Sequence, residues 1–212
     1  MKPRILLADD HAIIRYGLRI LLEMAEMEVV GEASEGRQAV DMVQALQPDA
    51  AIFDLSMPGL NGIDAVAILR DRCPGTRILI LSMHSNSEHV HRALAAGASG
   101  YLLKGSVSEE IVAAVRAALV GRRYLSGELA HMEDNPSIGA GDTGPLGRLS
   151  ARERQVLQLV VEGHSSSRIA ALVHLSPKSV DTYRSRIMQK LGVRDVTGLV
   201  KLAVEHGLTP GS

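Results

Sequence analysis

Asp9-Asp10, Asp54, Ser82 and Lys104 are the side chains whose types and spacing suit chemistry on a phosphoryl group. Three carboxylates brought together repel one another, and a hard divalent cation relieves that repulsion. Mg²⁺ prefers oxygen ligands and keeps several of its waters, which fits a site built from a few carboxylates. Mg²⁺ also keeps Asp54 ionised, so that its carboxylate can act as a nucleophile toward phosphorus. Lys104 and Ser82 supply a cation and a hydroxyl to hold the oxygens of a transferred phosphoryl group. A hydrolase of small phosphoesters is a competing use of the same set. Such enzymes usually carry a second acid two residues after the nucleophile, as general acid and base. Ser56 stands there, and a serine hydroxyl cannot fill that role at neutral pH.

The elements that must position these residues are legible as alternating patterns over residues 1–125. Short apolar runs at Ile5–Ala8, Val29–Ala33, Ala50–Phe53, Ile78–Ser82 and Gly100–Leu103 read as buried parallel strands. Segments with helical spacing lie between and after them, at His11–Ala25, Glu35–Leu46, Gly62–Arg72, Asn86–Ala96 and Ser108–Val120. Gly97 and Gly121 sit where helices should stop. The expected fold is α/β, a doubly wound five-stranded parallel sheet of flavodoxin-like type, with ligands at the carboxyl ends of the strands. Asp9-Asp10 follow the first strand, Asp54 the third and Lys104 the fifth, and Ser82 ends the fourth, so all converge on one edge.

A chain of 212 residues has room for a second domain. The net charge of −1 hides an asymmetry: residues 1–125 carry −2, 126–147 carry −4 and 148–212 carry +5. Residues 126–147 have no helical or strand period, are rich in Gly, Pro and acids, and read as a flexible linker. From Leu149 the pattern is purely helical, with segments at Ala151–Val161, Ser166–Val173, Ser176–Leu191 and Thr197–His206 and a stop at Gly207. The short connections predict a helix-turn-helix inside a four-helix bundle, a separate all-α domain. Cys73 is the only cysteine, which excludes an internal disulfide or a Cys-based zinc site. His84, His89 and His91 have no acid or Cys spaced with them as a metal site requires. No apolar run reaches the ~18 residues of a membrane span. The opening MKPRILLADDHA meets two aspartates where a secretion signal would stay apolar. The expectation is a soluble, cytoplasmic protein without membrane contact.

On a helical wheel, Val180, Ile187 and Leu191 cluster toward a bundle core, and Lys178, Thr182, Ser185 and Gln189 cluster opposite them. Ser179 and Arg186 flank one edge of that polar face and Asp181 the other. Short polar residues edged by cations suit a major groove, where hydroxyls and amides meet base edges and cations meet phosphates. A solvated polar face gives the same pattern. The +5 charge and the preceding short helix favour DNA.

Residues 1–125 resemble a bacterial response-regulator receiver domain through ADDH (8–11), FDLSMPGLNG (53–62), LS (81–82) and GASGYLLK (97–104). The resemblance implies that Asp54 is the phosphoacceptor and that Asp9, Asp10, Asp54 and the backbone carbonyl of Ser56 form the Mg²⁺ site. Asp10 would be the more direct ligand. It further implies that Ser82 is the switch hydroxyl, Tyr101 the switch aromatic and Lys104 the phosphoryl-binding lysine. Residues 149–207 are similar to the LuxR-type DNA-binding domain through the LSxRExxVL opening, the EG turn, the LSxKSVxTYRSRI stretch and the KLGV tail. That similarity implies DNA contacts from Lys178, Ser179, Asp181, Thr182, Tyr183, Ser185, Arg186, Gln189 and Lys190. Ser165-Ser166-Ser167-Arg168 departs from the more usual Asn-Lys-Glu-type turn, and Tyr183 stands where histidine is common. Together the halves resemble a two-component response regulator of the NarL/FixJ type, which is not an enzyme. Its implied partners are a sensor histidine kinase, promoter DNA and a second copy of the chain when active or on DNA.

Overall fold

The apolar runs form strands β1 (Arg4–Ala8), β2 (Glu28–Ala33), β3 (Ala50–Asp54), β4 (Arg77–Ser82) and β5 (Gly100–Leu103). The structure is a computed structural model, and it describes residues 1–106, 108–127, 129, 144–206 and 208. Helices α1 (Ala12–Met24), α2 (Gly36–Leu46), α3 (Gly62–Arg72), α4 (Ser87–Ala96) and α5 (Ser108–Leu119) alternate with the strands. All strand pairs are parallel, in the order β2-β1-β3-β4-β5, so the chain doubles back at β1 and both faces are covered. Alternate strand residues therefore face opposite cores. Ile5, Leu7, Ile52 and Leu79 pack with Leu18 and Leu22 of α1 and Ala114 and Val115 of α5. Leu6, Phe53, Ile80 and Tyr101 pack with Val40 and Val43 of α2, Val66 and Leu69 of α3, and Val90 of α4. Burial on both faces explains why β1, β3, β4 and β5 are apolar runs without alternation, whereas the edge strand β2 is half-buried and carries Glu28 and Glu32.

The sheet has six strands where five were expected. Tyr124–Leu125 form β6, which pairs in parallel with β5 at the sheet edge. A two-residue strand is too short to leave any periodic pattern. Its partner Gly100 is the physical requirement, since a Cβ at Gly100 would lie 2.5 Å from the Tyr124 carbonyl oxygen.

The chain divides into two compact units at residue 140. The second contains a short helix α6 (Gly144–Gly147) and four longer ones: α7 (Ala151–Val161), α8 (Ser166–Val173), α9 (Pro177–Leu191) and α10 (Val196–Glu205). Serines start three of these. Ser150 forms a capping box with Glu153, Ser165 caps α8, and Ser176 caps α9 with Pro177 in its first turn. Gly192, with φ 69°, ends α9 in the left-handed conformation that glycine tolerates. Val156, Leu157, Ile169, Val180, Ile187, Leu199 and Ala203 are fully buried and form the core of this unit. α8 and α9 follow one another as a helix-turn-helix. Of the segment read as a linker, residues 128 and 130–143 lie outside the described residues, as does Gly207. The two ends of that segment are built into the units: Ser126 and Leu129 are buried on the first, and Leu146 in the core of the second.

Candidate functional site

Asp9 and Asp10 stand in the turn directly after β1, and Asp54 is the last residue of β3, one strand away. Lys104 follows β5, and its Nζ lies 2.9 Å from Asp9 Oδ2 and 2.9 Å from Asp54 Oδ2. Both carboxylates and the lysine head are buried. Close backbone packing fixes Asp54: Gly62 opens α3 against its carbonyl, and a Cβ at Gly62 would sit 2.4 Å from that oxygen. Asp9 is held by its own backbone, whose carbonyl accepts from Arg15 Nη1 at 2.6 Å.

The electrostatics follow from burial. Desolvation, then the charge of Asp9, pushes the Asp54 carboxyl up to about 6, against the opposing pull of Lys104 and the Ser56 N–H. Burial works to lower the Lys104 ammonium, but Asp9 and Asp54 outweigh it and hold the group above its ordinary value. Asp9, Asp10, His11 and Asp54 each offer a ligand atom within 4.8 Å of the others. Asp9 Oδ2 and Asp10 Oδ1 are buried and accept no hydrogen bond of good geometry, although cationic or ring nitrogens approach them closely. Carboxylate oxygens with unused acceptor capacity fit a hard divalent cation such as Mg²⁺. His11 was missed in the sequence as part of this cluster. Its Nδ1 lies 2.7 Å from Asp10 Oδ1, and its backbone N–H donates to Asp9 Oδ1. Its adjacency to Asp10 was the available signal.

Ser82 and Tyr101 are both fully buried and meet at one residue. The His84 N–H donates to Ser82 Oγ at 3.0 Å, and the Tyr101 hydroxyl donates to the His84 carbonyl at 2.8 Å. Burial pushes the Tyr101 phenol up to about 12, opposed by its contact with Ser82. A cleft of about 480 Å³ opens on this edge, lined in part by Ser82, Lys104, Ser106, Glu110 and Ser126. Ser126, which carried no sequence signal, accepts from the Leu103 N–H and contacts Ser106 Oγ. His84 and His89 rings stand 5.6 Å apart and tilted, and His89 is buried. Cys73 is a buried thiol at the end of α3.

On α9, Lys178, Asp181, Thr182, Ser185, Arg186, Gln189 and Lys190 are exposed. Ser179 is half-buried and shares the helix cap with Ser176. Tyr183 is half-buried and packs on the core of its unit. Lys190 Nζ lies 2.7 Å from Glu153 Oε2, so its charge is engaged at the capping box of α7. Thr182 Oγ1 donates to the carbonyl of Lys178. Arg184, on the core side of the wheel, reaches out to Ser166 Oγ at 2.9 Å, and Ser166 Oγ donates to Asp181 Oδ1 at 2.7 Å. The Glu153 and Ser166 partnerships depend on how helices cross, which periodicity does not report.

A doubly wound parallel sheet with acids and a lysine at its carboxyl edge, joined in one chain to a helix-turn-helix unit, defines a receiver-type regulator with a DNA-binding output. Comparison with known proteins agrees. Residues 5–116 match the model of the response regulator receiver domain, and residues 148–203 that of the luxR family of bacterial regulatory proteins. The response regulator UvrY of Escherichia coli K12 is 35% identical over 206 residues, covering 96% of this chain and 94% of the relative. GacA of Pseudomonas aeruginosa is 33% identical over 207 residues, with 97% of each chain covered. Among solved structures, RcsB of Salmonella enterica serovar Typhimurium, bound to promoter rprA with the phosphomimetic BeF₃⁻, is 28% identical with a TM-score of 0.66. It covers 95% of this chain and 98% of RcsB. A LuxR-family regulator from Aurantimonas is 40% identical with a TM-score of 0.60 over 62% of this chain and 94% of its own. The chain belongs to the two-component response regulators of the NarL/FixJ type, with a receiver domain and a LuxR-type DNA-binding domain.

Proposed function

We propose that Asp54 accepts a phosphoryl group from a partner histidine kinase and that this modification controls binding of the LuxR-type unit to promoter DNA. The observation that carries the reading is the buried pair Asp9 and Asp54 bridged by Lys104 at 2.9 Å to each, with Asp10 in the same cluster. Asp9, Asp10, the Asp54 carboxylate and the Ser56 carbonyl would hold Mg²⁺, which when bound withdraws charge from the phosphoryl oxygens. An Asp54 oxygen attacks phosphorus, forming an O–P bond as the P–N bond of the donor phosphohistidine breaks. The departing imidazole keeps the electron pair and takes up a proton. Lys104 then pairs with a phosphoryl oxygen, and the Ser82 hydroxyl donates to another. Drawing Ser82 toward phosphorus shifts its bond with His84, the same residue that holds the Tyr101 hydroxyl, so the switch pair responds together.

A protein partner has a surface to meet beside this site. α1 begins two residues after Asp10 and exposes Ile13, Tyr16, Ile20 and Met24 along one side. An exposed apolar stripe next to reacting groups supports a kinase that docks as a protein rather than a small-molecule donor alone. The group transferred ends on the chain itself and no substrate is turned over, so the protein is read as a regulator, not an enzyme. The receiver domain is assigned to residues 1–125, the linker to 126–147 and the DNA-binding domain to 148–212, in a cytoplasmic protein that acts on DNA as a homodimer. Lys178, Thr182, Ser185, Arg186 and Gln189, exposed on α9, are read as DNA contacts, with Asp181, Ser179, Tyr183 and Lys190 beside them. The test is phosphorylation with labelled acetyl phosphate. Label should enter the wild-type chain only with Mg²⁺ and should be absent from Asp54→Ala. Equal labelling of the two proteins would overturn the reading.

A further inference from the structure

Asp181 is the one acid on α9, and it is exposed in the second turn of the helix that follows the turn of the helix-turn-helix. An acid on a surface meant for a polyanion is unfavourable unless it finds donors there. The phosphates of DNA offer none, while the major-groove edges of cytosine and adenine do. In helix-turn-helix proteins, residues early in the second helix are the ones that reach base edges.

The side chain is also pre-oriented. Arg184 Nη1 lies 2.9 Å from Ser166 Oγ, and Ser166 Oγ lies 2.7 Å from Asp181 Oδ1. Guanidinium can only donate and a carboxylate only accept, so the hydroxyl of Ser166 accepts from Arg184 and gives its proton to Asp181. The chain of donors runs one way, from α9 to α8 and back. It fixes one oxygen of Asp181, and a carboxylate with about four lone-pair sites keeps capacity for another donor. Neighbouring Thr182 has its hydroxyl proton committed to the Lys178 carbonyl, so it does not compete as a donor.

We infer that Asp181, oriented by Ser166 and Arg184, is a specificity-determining residue that accepts a hydrogen bond from the N4 amino group of a cytosine in each operator half-site. Ser166 and Arg184 are positioning residues in this arrangement. The inference rests on the DNA-binding reading of the second unit and adds the base that one position reads. It also gives a role to the serine-rich start of α8, whose Ser166 supplies the link.

The experiment is selection from a random-sequence DNA duplex library with the full-length protein, with and without acetyl phosphate. Wild type, Asp181→Asn, Asp181→Ala and Ser166→Ala are compared, and thermal melting checks their folding. Wild type should select cytosine at one position per half-site, favoured by about fivefold or more over the other bases. Asp181→Asn should move that single position to adenine, because an amide pairs bidentately with adenine N6 and N7. Asp181→Ala should leave that position indifferent and the rest of the motif intact. Ser166→Ala should weaken the preference without changing the base. A motif unchanged in Asp181→Asn, or a uniform loss at every position in a folded variant, would overturn the inference and leave DNA binding standing. Failure of wild type to select any motif would overturn the DNA-binding reading and this inference with it.

Discussion

Ionising Asp54 costs the receiver stability, because burial and Asp9 hold its carboxyl up to about 6 where an unperturbed aspartate sits at 3.8. Folding therefore favours the protonated form. The contribution is fully present below about pH 4 and is lost as pH rises through about 6. The gap corresponds to about 3 kcal/mol. Asp54→Asn removes the charge and keeps an acceptor for Lys104. In EDTA the variant should melt several degrees above wild type near pH 7.5, and the advantage should vanish near pH 4. Mg²⁺ should shrink the advantage at neutral pH, since the cation pairs with the charge. Melting curves at both pH values decide it, and an equal difference at the two would contradict the burial argument. The acids and the lysine were legible in the sequence because each follows an apolar run, and strand ends share one edge in a parallel sheet. His84, Ser126, Ser166 and Glu153 were not legible. Their roles arise from backbone groups or from partners on other elements, at separations of 15 to 37 residues for the helix pairs Ser166–Asp181 and Glu153–Lys190.

At the scale of elements, β6 shows what periodicity cannot carry. β1, β3, β4 and β5 were legible because burial on both faces favours consecutive apolar residues, while β2, half-buried at the sheet edge, shows only the pair Val29-Val30 between polar residues and glycine. β6 has two residues and exists because Gly100 lets the Tyr124 carbonyl approach. Its ladder continues past the strand, since the Tyr124 N–H donates to the Ser99 carbonyl and the Ser126 N–H to the Tyr101 carbonyl. The edge strand is thus tied to Tyr101, the residue proposed above as the switch aromatic. Gly100→Ala places a methyl 2.5 Å from the Tyr124 oxygen and 2.7 Å from Leu79 Cδ2. Neither neighbour yields freely, because one is backbone and the other lies in a filled core. The variant should lose about 1–3 kcal/mol and release β6. Hydrogen exchange should show faster exchange of the Tyr124 and Ser126 amides, with those of β1 and β3 little changed. Retained protection at Tyr124 would mean that the strand does not need the glycine.

For the whole molecule, a net charge of −1 is a cancellation between a receiver of −2, an acidic stretch of −4 and a DNA-binding part of +5. On the function proposed above, the two parts take ligands of different kinds, a phosphoryl group at the carboxyl edge of the sheet and DNA at α9. If the phosphoryl group regulates DNA binding, the two are coupled, and coupling between bound ligands is reciprocal. Beryllium fluoride mimics the phosphoryl group and binds reversibly, so it makes the reciprocity measurable. Suppose Mg²⁺ and beryllium fluoride tighten binding to a selected duplex by some factor, about 5–150-fold in typical cases. The duplex must then tighten binding of beryllium fluoride by the same factor. Fluorescence anisotropy of the labelled duplex gives the first number. Fluorine NMR of the bound beryllium fluoride, titrated with and without duplex, gives the second. Asp54→Ala should abolish both, because the mimic loses the carboxylate oxygen to which it binds. If neither ligand changed the affinity for the other, with wild type fully occupied by the mimic, the receiver state and DNA binding would be uncoupled. The protein would then be a regulator whose output does not depend on phosphorylation, and Asp54 chemistry would have to report to something other than the DNA-binding unit.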